Sequence, residues 1–188
     1  MEPTKSKDNL VWIDMEMTGL DPKKEGIIEM ASIVTDKNLN TLEEGPNLIL
    51  HQSQKLLKTM DRWNKTHHKK SGLLDAVKKS KITVKRAEKL TLDFLKKYCL
   101  PGKSLLCGNA VHHDRRFIIK YMPKLDKFLH YRHIDVTTLK ALVKWWYPKN
   151  KNLPKKKDAH RALDDIRESI EELRFYRETY FKEAKEGS

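Results

Sequence analysis

Two acidic side chains stand two positions apart in an otherwise apolar stretch near the start of the chain. Asp14 and Glu16 lie within LVWIDMEMTGL, residues 10–20. In this stretch apolar residues alternate with a set that includes both acids, and a Thr-Gly turn follows. The alternation predicts a core strand, and side chains two apart on a strand point the same way. Two carboxylates inside a sheet are costly to ionise unless a cation offsets their charge, which favours a divalent metal site. An edge strand with a wet polar face accounts for the same pattern without a metal.

Further candidate groups stand at the starts of two later helices. Asp114 falls in the first turns of a helix predicted after residue 109, where an acid can also act only as a cap or a partner of the helix dipole. His160, Asp164 and Asp165 open the last predicted helix. Helical periodicity places Asp165 nearer to the apolar stripe than Asp164, so we expect Asp165 to face inward. His160 precedes Asp165 by five residues, which is not one face of a regular helix, so its imidazole is expected on the entry loop.

The elements that must position these groups follow an α/β pattern. Strands are predicted at residues 10–17, 27–35, 41–51, 105–109 and 133–136. Helices are predicted within residues 54–97, from residue 110 to the helix-stopping Pro123, after residue 136 and from about residue 160 to residue 181. The first three strands are expected to form an antiparallel meander. This order is typical of an α/β domain with a mixed five-stranded sheet flanked by helices.

Composition limits the class of protein and of partner. The 188 residues, 38% hydrophobic and 35% charged, suit a single domain over residues 1–188, with a core at about 9–180 and short polar tails. The excess of 39 Lys and Arg over 26 Asp and Glu gives a charge of +13, which favours polyanionic partners such as nucleic acid. The basic segment at residues 148–158 is either a solvated charge run or a lip that attracts phosphates.

Cysteine content and hydropathy indicate the compartment. Cys99 and Cys107 lie in segments that read as buried, so we expect reduced thiols in a reducing environment. No apolar run approaches the roughly 18 residues of a membrane span. Residues 1–9 lack the apolar core of a secretory signal. The sequence therefore predicts a soluble, cytoplasmic protein without membrane contact.

Several short motifs, taken together and in order, resemble the oligoribonuclease family, a branch of the DEDD exonucleases of the histidine subclass. The resemblance runs from about residue 9 to residue 180. It rests on the motifs WIDMEMTGL (12–20), GN (108–109), DRRF (114–117), HYR (130–132), IDV (134–136) and HRALDDIRES (160–169). It implies a ribonuclease-H-like exonuclease fold.

Phosphodiester hydrolysis explains why these residue types occur together. Two divalent cations about 4 Å apart can activate a water, relieve charge on the scissile phosphate and stabilise the leaving oxygen. Mg²⁺ and Mn²⁺ prefer oxygen ligands, so Asp14, Glu16, Asp114 and Asp165 suit two such ions, while one histidine and no cysteine argue against zinc. The unperturbed pKa of a histidine side chain lies near neutral, which makes His160 the candidate general base; the alternative is a surface histidine in a basic loop.

The resemblance also implies a substrate, namely RNA oligomers of about two to five nucleotides, dinucleotides included, degraded from the 3′ end to mononucleotides. Leu20 would wedge between two bases, although an ordinary turn hydrophobe is the alternative. Trp63 and His68 would help to close the pocket around the 3′ nucleotide, with the adjacent His67 as a rival for the role of His68.

The resemblance further implies a homodimer in which a neighbouring subunit supplies Tyr131 and Arg132 to cap the 5′ end of the RNA. Capping that end would exclude long RNA sterically. The family commonly has serine after Gly-Asn, whereas this chain has Ala110. If that serine contacts the 5′ phosphate, the contact is lost here, and Thr137 or Arg132 could serve instead.

Two other functions stay open at this point. One is a 3′ exonuclease that trims longer RNA or single-stranded DNA, which the relative rates on a dinucleotide and a longer oligomer would distinguish. The other is a non-catalytic basic RNA-binding module, whose binding would be salt-sensitive like that of any protein this basic. Against the module, a residue competent for chemistry fills every one of the catalytic positions.

Overall fold

The computed structural model describes residues 5–148 and 161–182 and forms one mixed sheet with helices on both faces. The strands are β1 (Leu10–Met17), β2 (Ile27–Thr35), β3 (Thr41–Glu44), β4 (Leu48–Ile49), β5 (Leu106–Gly108) and β6 (His133–Asp135). The helices are α1 (Gln54–Thr59), α2 (Arg62–Lys70), α3 (Leu73–Lys79), α4 (Val84–Leu95), α5 (His112–Tyr121), α6 (Pro123–Phe128), α7 (Val136–Trp146) and α8 (Ala162–Tyr180). None of the helices in the described ranges is long and apolar enough to cross a membrane.

Strand β1 is the centre of the sheet, whose order is β3-β2-β1-β5-β6, with β4 also paired to β2. β1 runs antiparallel to β2 from Leu10 opposite Thr35 to Met17 opposite Ile27. It runs parallel to β5 on its other side. Every residue of β2 is buried, and accordingly its sequence IIEMASIVT is nearly continuously apolar. The predicted α/β class and the antiparallel pairing of the first strands are confirmed.

The two faces of β1 enter different cores. Val11, Ile13 and Met15 pack with residues of helices α4, α5 and α6. Leu10 and Trp12 pack on the opposite face with residues of α7 and α8. Because side chains alternate along a strand, Asp14 and Glu16 share the face of Trp12 and are directed toward α8.

The strand predicted at residues 41–51 is divided into β3 and β4, so the described sheet has six strands rather than five. Both pieces pair with β2. The break lies at Gly45, whose amide donates to Ser32 O at 2.8 Å, and Pro46 follows. A side chain at Gly45 would come within 2.5 Å of Phe94, so glycine is required where the chain passes α4.

The helical region predicted at residues 54–97 consists of four short helices. Side chains of Ser53, Asp61 and Thr83 accept hydrogen bonds from the first turns of α1, α2 and α4, which confirms the start predicted at Thr83. Gly72, at φ +74°, separates α2 from α3. These breaks bend the segment around the sheet so that α2 reaches the end of β1.

Candidate active site

Three of the predicted metal ligands converge where β1 meets the start of α8. Asp14, Glu16 and Asp165 each offer a carboxylate oxygen, and these oxygens lie within 4.8 Å of one another. β1 supplies the first two from one face, and α8 packs against β1 and β2 with Asp165 in its first turn. Asp164, next to Asp165, is exposed and pairs with Arg167 at 2.9 Å. The inward direction predicted for Asp165 is therefore confirmed.

Asp114 approaches the same end of β1 from α5. It is buried in the first turn of that helix, and its Oδ1 accepts a hydrogen bond from the Met15 amide at 3.0 Å. Asp114 is thus held against the backbone between Asp14 and Glu16. The four carboxylates come from three elements that are distant in sequence.

Electrostatics at this group oppose full ionisation. Burial, and then the charges of Asp14, Asp165 and Glu29, raise the pKa of Glu16 to about 8, while Arg161 acts in the opposite direction. Burial, followed by the charge of Asp14, also raises the pKa of Asp114 well above its usual range. A bound cation favours the ionised form and would reverse these shifts. An all-oxygen donor set of this kind fits hard divalent cations.

The predicted base, His160, lies outside the described residues, as does most of the basic segment at residues 148–158. Its neighbour Arg161 is described and is the N-cap residue of α8.

Leu20, the predicted wedge, protrudes from the turn after β1 with 59% of its surface exposed. The turn is held by the Thr18 hydroxyl, which donates to Glu25 and accepts from the Gly26 amide at 3.0 Å. From α5, Arg116 donates to Leu20 O at 3.5 Å. The apolar side chain is thus presented at the edge of the carboxylate group on a restrained loop.

The neighbouring histidines of α2 face different environments. Trp63 is 59% exposed and stacks on His67, with their ring centroids 3.9 Å apart. His68 is only 2% exposed, donates from Nε2 to Met17 O at 3.1 Å and places Nδ1 3.9 Å from Glu16. The sequence could not separate His67 from His68, and the structure places His68 against the carboxylates and His67 beside Trp63.

The remaining predicted substrate residues occupy a second edge. Tyr131 is 71% exposed, and the Arg132 guanidinium lies 5.3 Å from its ring centre. Thr137 holds the turn after β5, since its Oγ1 accepts from the Ala110 amide at 2.9 Å and donates to Asn109 Oδ1 at 3.1 Å. Ala110 has a φ of +49°, so these bonds secure a backbone conformation that alanine rarely adopts.

Sequence reasoning missed one pair of residues beside the carboxylates. Glu29 of β2 is fully buried and receives bidentate hydrogen bonds from Arg161. The signal available in the sequence was a single acid within the apolar run IIEMASIVT.

Comparison with known proteins decides the family. A sequence profile of the RNase T family, described as exonuclease, matches residues 11–173. The oligoribonuclease of Haemophilus influenzae strain PittGG is 56% identical over 94% of this chain and 97% of its own length. The chain belongs to the oligoribonuclease family. The oligoribonuclease of Photorhabdus laumondii, 52% identical over 95% of this chain and 99% of its own, agrees. As a member of the oligoribonuclease family, the chain is a 3′-to-5′ exoribonuclease.

Solved structures show the same fold. A zinc-bound complex of E. coli exonuclease I with single-stranded DNA matches with a TM-score of 0.69 and 16% identity, over 93% of this chain and 41% of that one. Exonuclease I of Methylocaldum szegediense matches with a TM-score of 0.66 and 18% identity, over 92% and 41%. This chain spans about two fifths of the length of those proteins. The predicted ribonuclease-H-like exonuclease fold, a mixed sheet flanked by helices, is confirmed.

Proposed function

We propose that this exoribonuclease degrades very short RNA, dinucleotides included, to 5′-mononucleotides by metal-dependent hydrolysis. The observation that supports this most directly is the carboxylate group, in which oxygens of Asp14, Glu16 and Asp165 lie within 4.8 Å of one another. We take the chain as a single exonuclease domain. The relatives named oligoribonuclease, which it matches along nearly their whole length, support both the substrate and the single domain.

In the proposed mechanism, Asp14, Glu16, Asp114 and Asp165 would hold two Mg²⁺ or Mn²⁺ ions. When bound, these ions would supply charge relief at the scissile phosphate, an acidified water and stabilisation of the leaving oxygen. His160 would accept the proton of the attacking water, since an imidazole changes its charge near neutral pH. The hydrogen bond from the Met15 amide restrains Asp114, which is the ligand proposed from α5.

The proposed substrate pocket combines apolar and polar groups around the carboxylates. Leu20 would separate the two bases, because it is exposed on a turn held in place by Thr18. Trp63 offers an exposed ring for stacking on the 3′ nucleotide, as aromatic side chains do in single-strand binding. His68 would close the pocket from beneath, where it links α2 to Glu16 and to the end of β1.

The preference for short RNA would come from a homodimer. Tyr131 and Arg132 of a second copy would cap the 5′ end, and Thr137 would lie near the terminal phosphate. Exposed aromatic side chains support an interface, since contiguous apolar patches on a protein surface mark interaction sites; they are Tyr131 and the consecutive residues Trp145, Trp146 and Tyr147. Two free, buried cysteines support the proposed cytoplasmic location.

The test is a time course on a 5′-labelled diribonucleotide and on a 20-mer, with Mg²⁺ or with EDTA. Mg²⁺-dependent release of mononucleotides from the dinucleotide, faster than from the 20-mer, is expected. Asp14→Ala should abolish this release. Faster trimming of the 20-mer would instead favour an enzyme that processes longer RNA or single-stranded DNA, and full activity of Asp14→Ala would contradict the metal-site assignment.

A further inference from the structure

A fully buried carboxylate lies directly across the sheet from a proposed metal ligand. Glu29 of β2 is 0% exposed and is the register partner of Glu16 in the antiparallel pair with β1. Opposed side chains on such strands lie about 4.5–5.5 Å apart at Cβ, and like charges placed there repel. Burying a carboxylate requires hydrogen bonds or an opposite charge. The sheet therefore places a negative group beside a cluster that already repels itself.

Arg161 supplies the opposite charge for Glu29. Its Nε donates to Oε1 at 3.0 Å and Oε2 at 3.1 Å, and its Nη2 donates to Oε1 at 2.9 Å. The Ala162 amide lies 3.5 Å from Oε2. Helix α8 has no side-chain cap from its own N-cap residue, Arg161, so Glu29 occupies the place of a cap from the neighbouring sheet.

The guanidinium that neutralises Glu29 is also within electrostatic reach of the metal ligands. The charge of Arg161 lowers the pKa of Glu16, against the stronger effects that raise it. A guanidinium can bind a carboxylate through two charge-assisted hydrogen bonds. It can therefore occupy oxygens that a metal ion would otherwise bind. Left without Glu29, Arg161 would keep Asp164 of its own helix and Glu16 as acidic neighbours, since the charges of both raise its pKa. It would then compete with a divalent ion for Glu16.

We infer that Glu29 is a positioning residue that holds Arg161 away from Glu16, so that Asp14, Glu16 and Asp165 stay available to divalent cations. This inference rests on the proposed function, because it requires these carboxylates to bind metal. A pair that only stabilised the fold would raise the melting temperature without affecting cation affinity.

The test measures Mn²⁺ binding to the metal-free full chain by isothermal titration calorimetry, without RNA. Glu29→Gln, which keeps the shape and removes the charge, should weaken Mn²⁺ binding about tenfold, a coupling typical of neighbouring groups. Adding Arg161→Gln to that variant should restore affinity to near the wild-type value. Recovery of Mn²⁺ affinity without a matching recovery of the melting temperature would separate release of Arg161 from a purely structural defect, because a double variant that only relieved an unpaired buried charge would recover both.

A matched control exists on the same helix. Arg167 of α8 makes a bidentate pair with Glu44 of β3, at 2.9 and 2.7 Å, away from Glu16. Glu44→Gln therefore breaks a similar link between α8 and the sheet and should leave Mn²⁺ affinity unchanged. Melting temperatures in EDTA, recorded for every variant, report the structural contribution separately.

The possible outcomes distinguish a failure of the proposed metal site from a failure of the role inferred for Glu29. Wild-type protein that binds no Mn²⁺ would overturn the proposed function together with this inference. Wild-type binding with undiminished affinity in Glu29→Gln would overturn the inference alone. If Glu29→Gln fails to fold, Arg161→Gln decides: Mn²⁺ affinity at or above the wild-type value supports competition by Arg161, and a tenfold loss contradicts it.

Discussion

Helix α8 contributes acids to two clusters that differ in how their charges are compensated. In the first turn, Asp165 faces the carboxylates of Asp14 and Glu16, and all three residues are partly buried. Two turns later, Glu172 is buried and surrounded by donors. Tyr176 donates to it at 2.8 Å, Asn109 at 3.2 Å, and Lys140 Nζ lies 3.3 Å away.

The difference separates acids whose charge the protein itself compensates from acids that are proposed to bind cations. Donors around Glu172 come from α8 itself, from α7 and from the turn after β5, so the protein supplies its own compensation. At the carboxylate group, the neighbours of Glu16 are mainly other acids, and burial with their charges raises its pKa to about 8. Partly buried acids that face one another indicate a site for cations, whereas a buried acid surrounded by donors indicates a structural role.

The largest expected effect comes from Asp165→Asn. Losing one carboxylate should weaken cation binding and lower kcat on a diribonucleotide about 10³-fold, because metal ions contribute several kcal/mol to this class of reaction. Stability in EDTA should stay the same or rise, since one repulsive charge is removed. Steady-state kinetics and thermal unfolding measure the two effects. Activity within a few-fold of wild type would place Asp165 with the structural acids.

A pH titration of stability in EDTA sharpens the same contrast. Because the pKa of Glu16 rises from 4.5 to about 8 on folding, the folded state holds a proton that the unfolded state releases between those values. The contribution of Glu16 to stability is therefore present at low pH and is lost as pH rises from about 4.5 to about 8. Melting temperatures across this range should fall. Glu16→Gln should flatten the fall, and an unchanged slope in that variant would contradict the assignment.

Glu172→Gln should lower stability and leave kcat nearly unchanged, which is the reverse of the effect expected from Asp165→Asn. An amide would place its own donors against those of Asn109 and weaken the contact with Lys140, which should cost about 1–3 kcal/mol of unfolding free energy. The kcat value should change little, because Glu172 touches none of the proposed ligands. Urea unfolding with kinetics on a dinucleotide tests both statements. A large loss of activity at wild-type stability would erase the distinction between the two clusters.

The smallest effect is expected from Asp164→Asn, one residue from the proposed ligand. Asp164 is exposed and pairs with Arg167 at the surface, where ion pairs contribute about 0–1 kcal/mol. Both kcat and stability should stay near wild type. This variant controls for the loss of a negative charge at the start of α8, so a defect comparable to that of Asp165→Asn would show that general charge, rather than ligation, matters.

Local patterns were sufficient for the features that depend on one element. Alternation along β1 predicted that Asp14 and Glu16 share a face, and helical periodicity separated Asp165 from Asp164. The α/β class followed from the order of strands and helices. These features depend on which way a side chain points along its own strand or helix, which a repeat of two or of 3.6 residues determines.

Other features required chain segments to meet. The division of residues 41–51 into β3 and β4 occurs at Gly45, where the chain passes close to Phe94, a residue on a later helix. The choice between His67 and His68 depended on where α2 reaches Met17. Neither contact can be predicted from the spacing of residues nearby in the sequence.

The amino-acid sequence by itself determined the fold class, the family and the face of each candidate acid, because periodicity and motif order are local properties. Only the tertiary structure decided how charges are compensated. Glu29 and Arg161 are 132 positions apart, and their pairing arises because β2 lies beside β1 while α8 begins above both. The energy of a buried charge depends on the groups within a few ångströms of it, and folding alone brings those groups together.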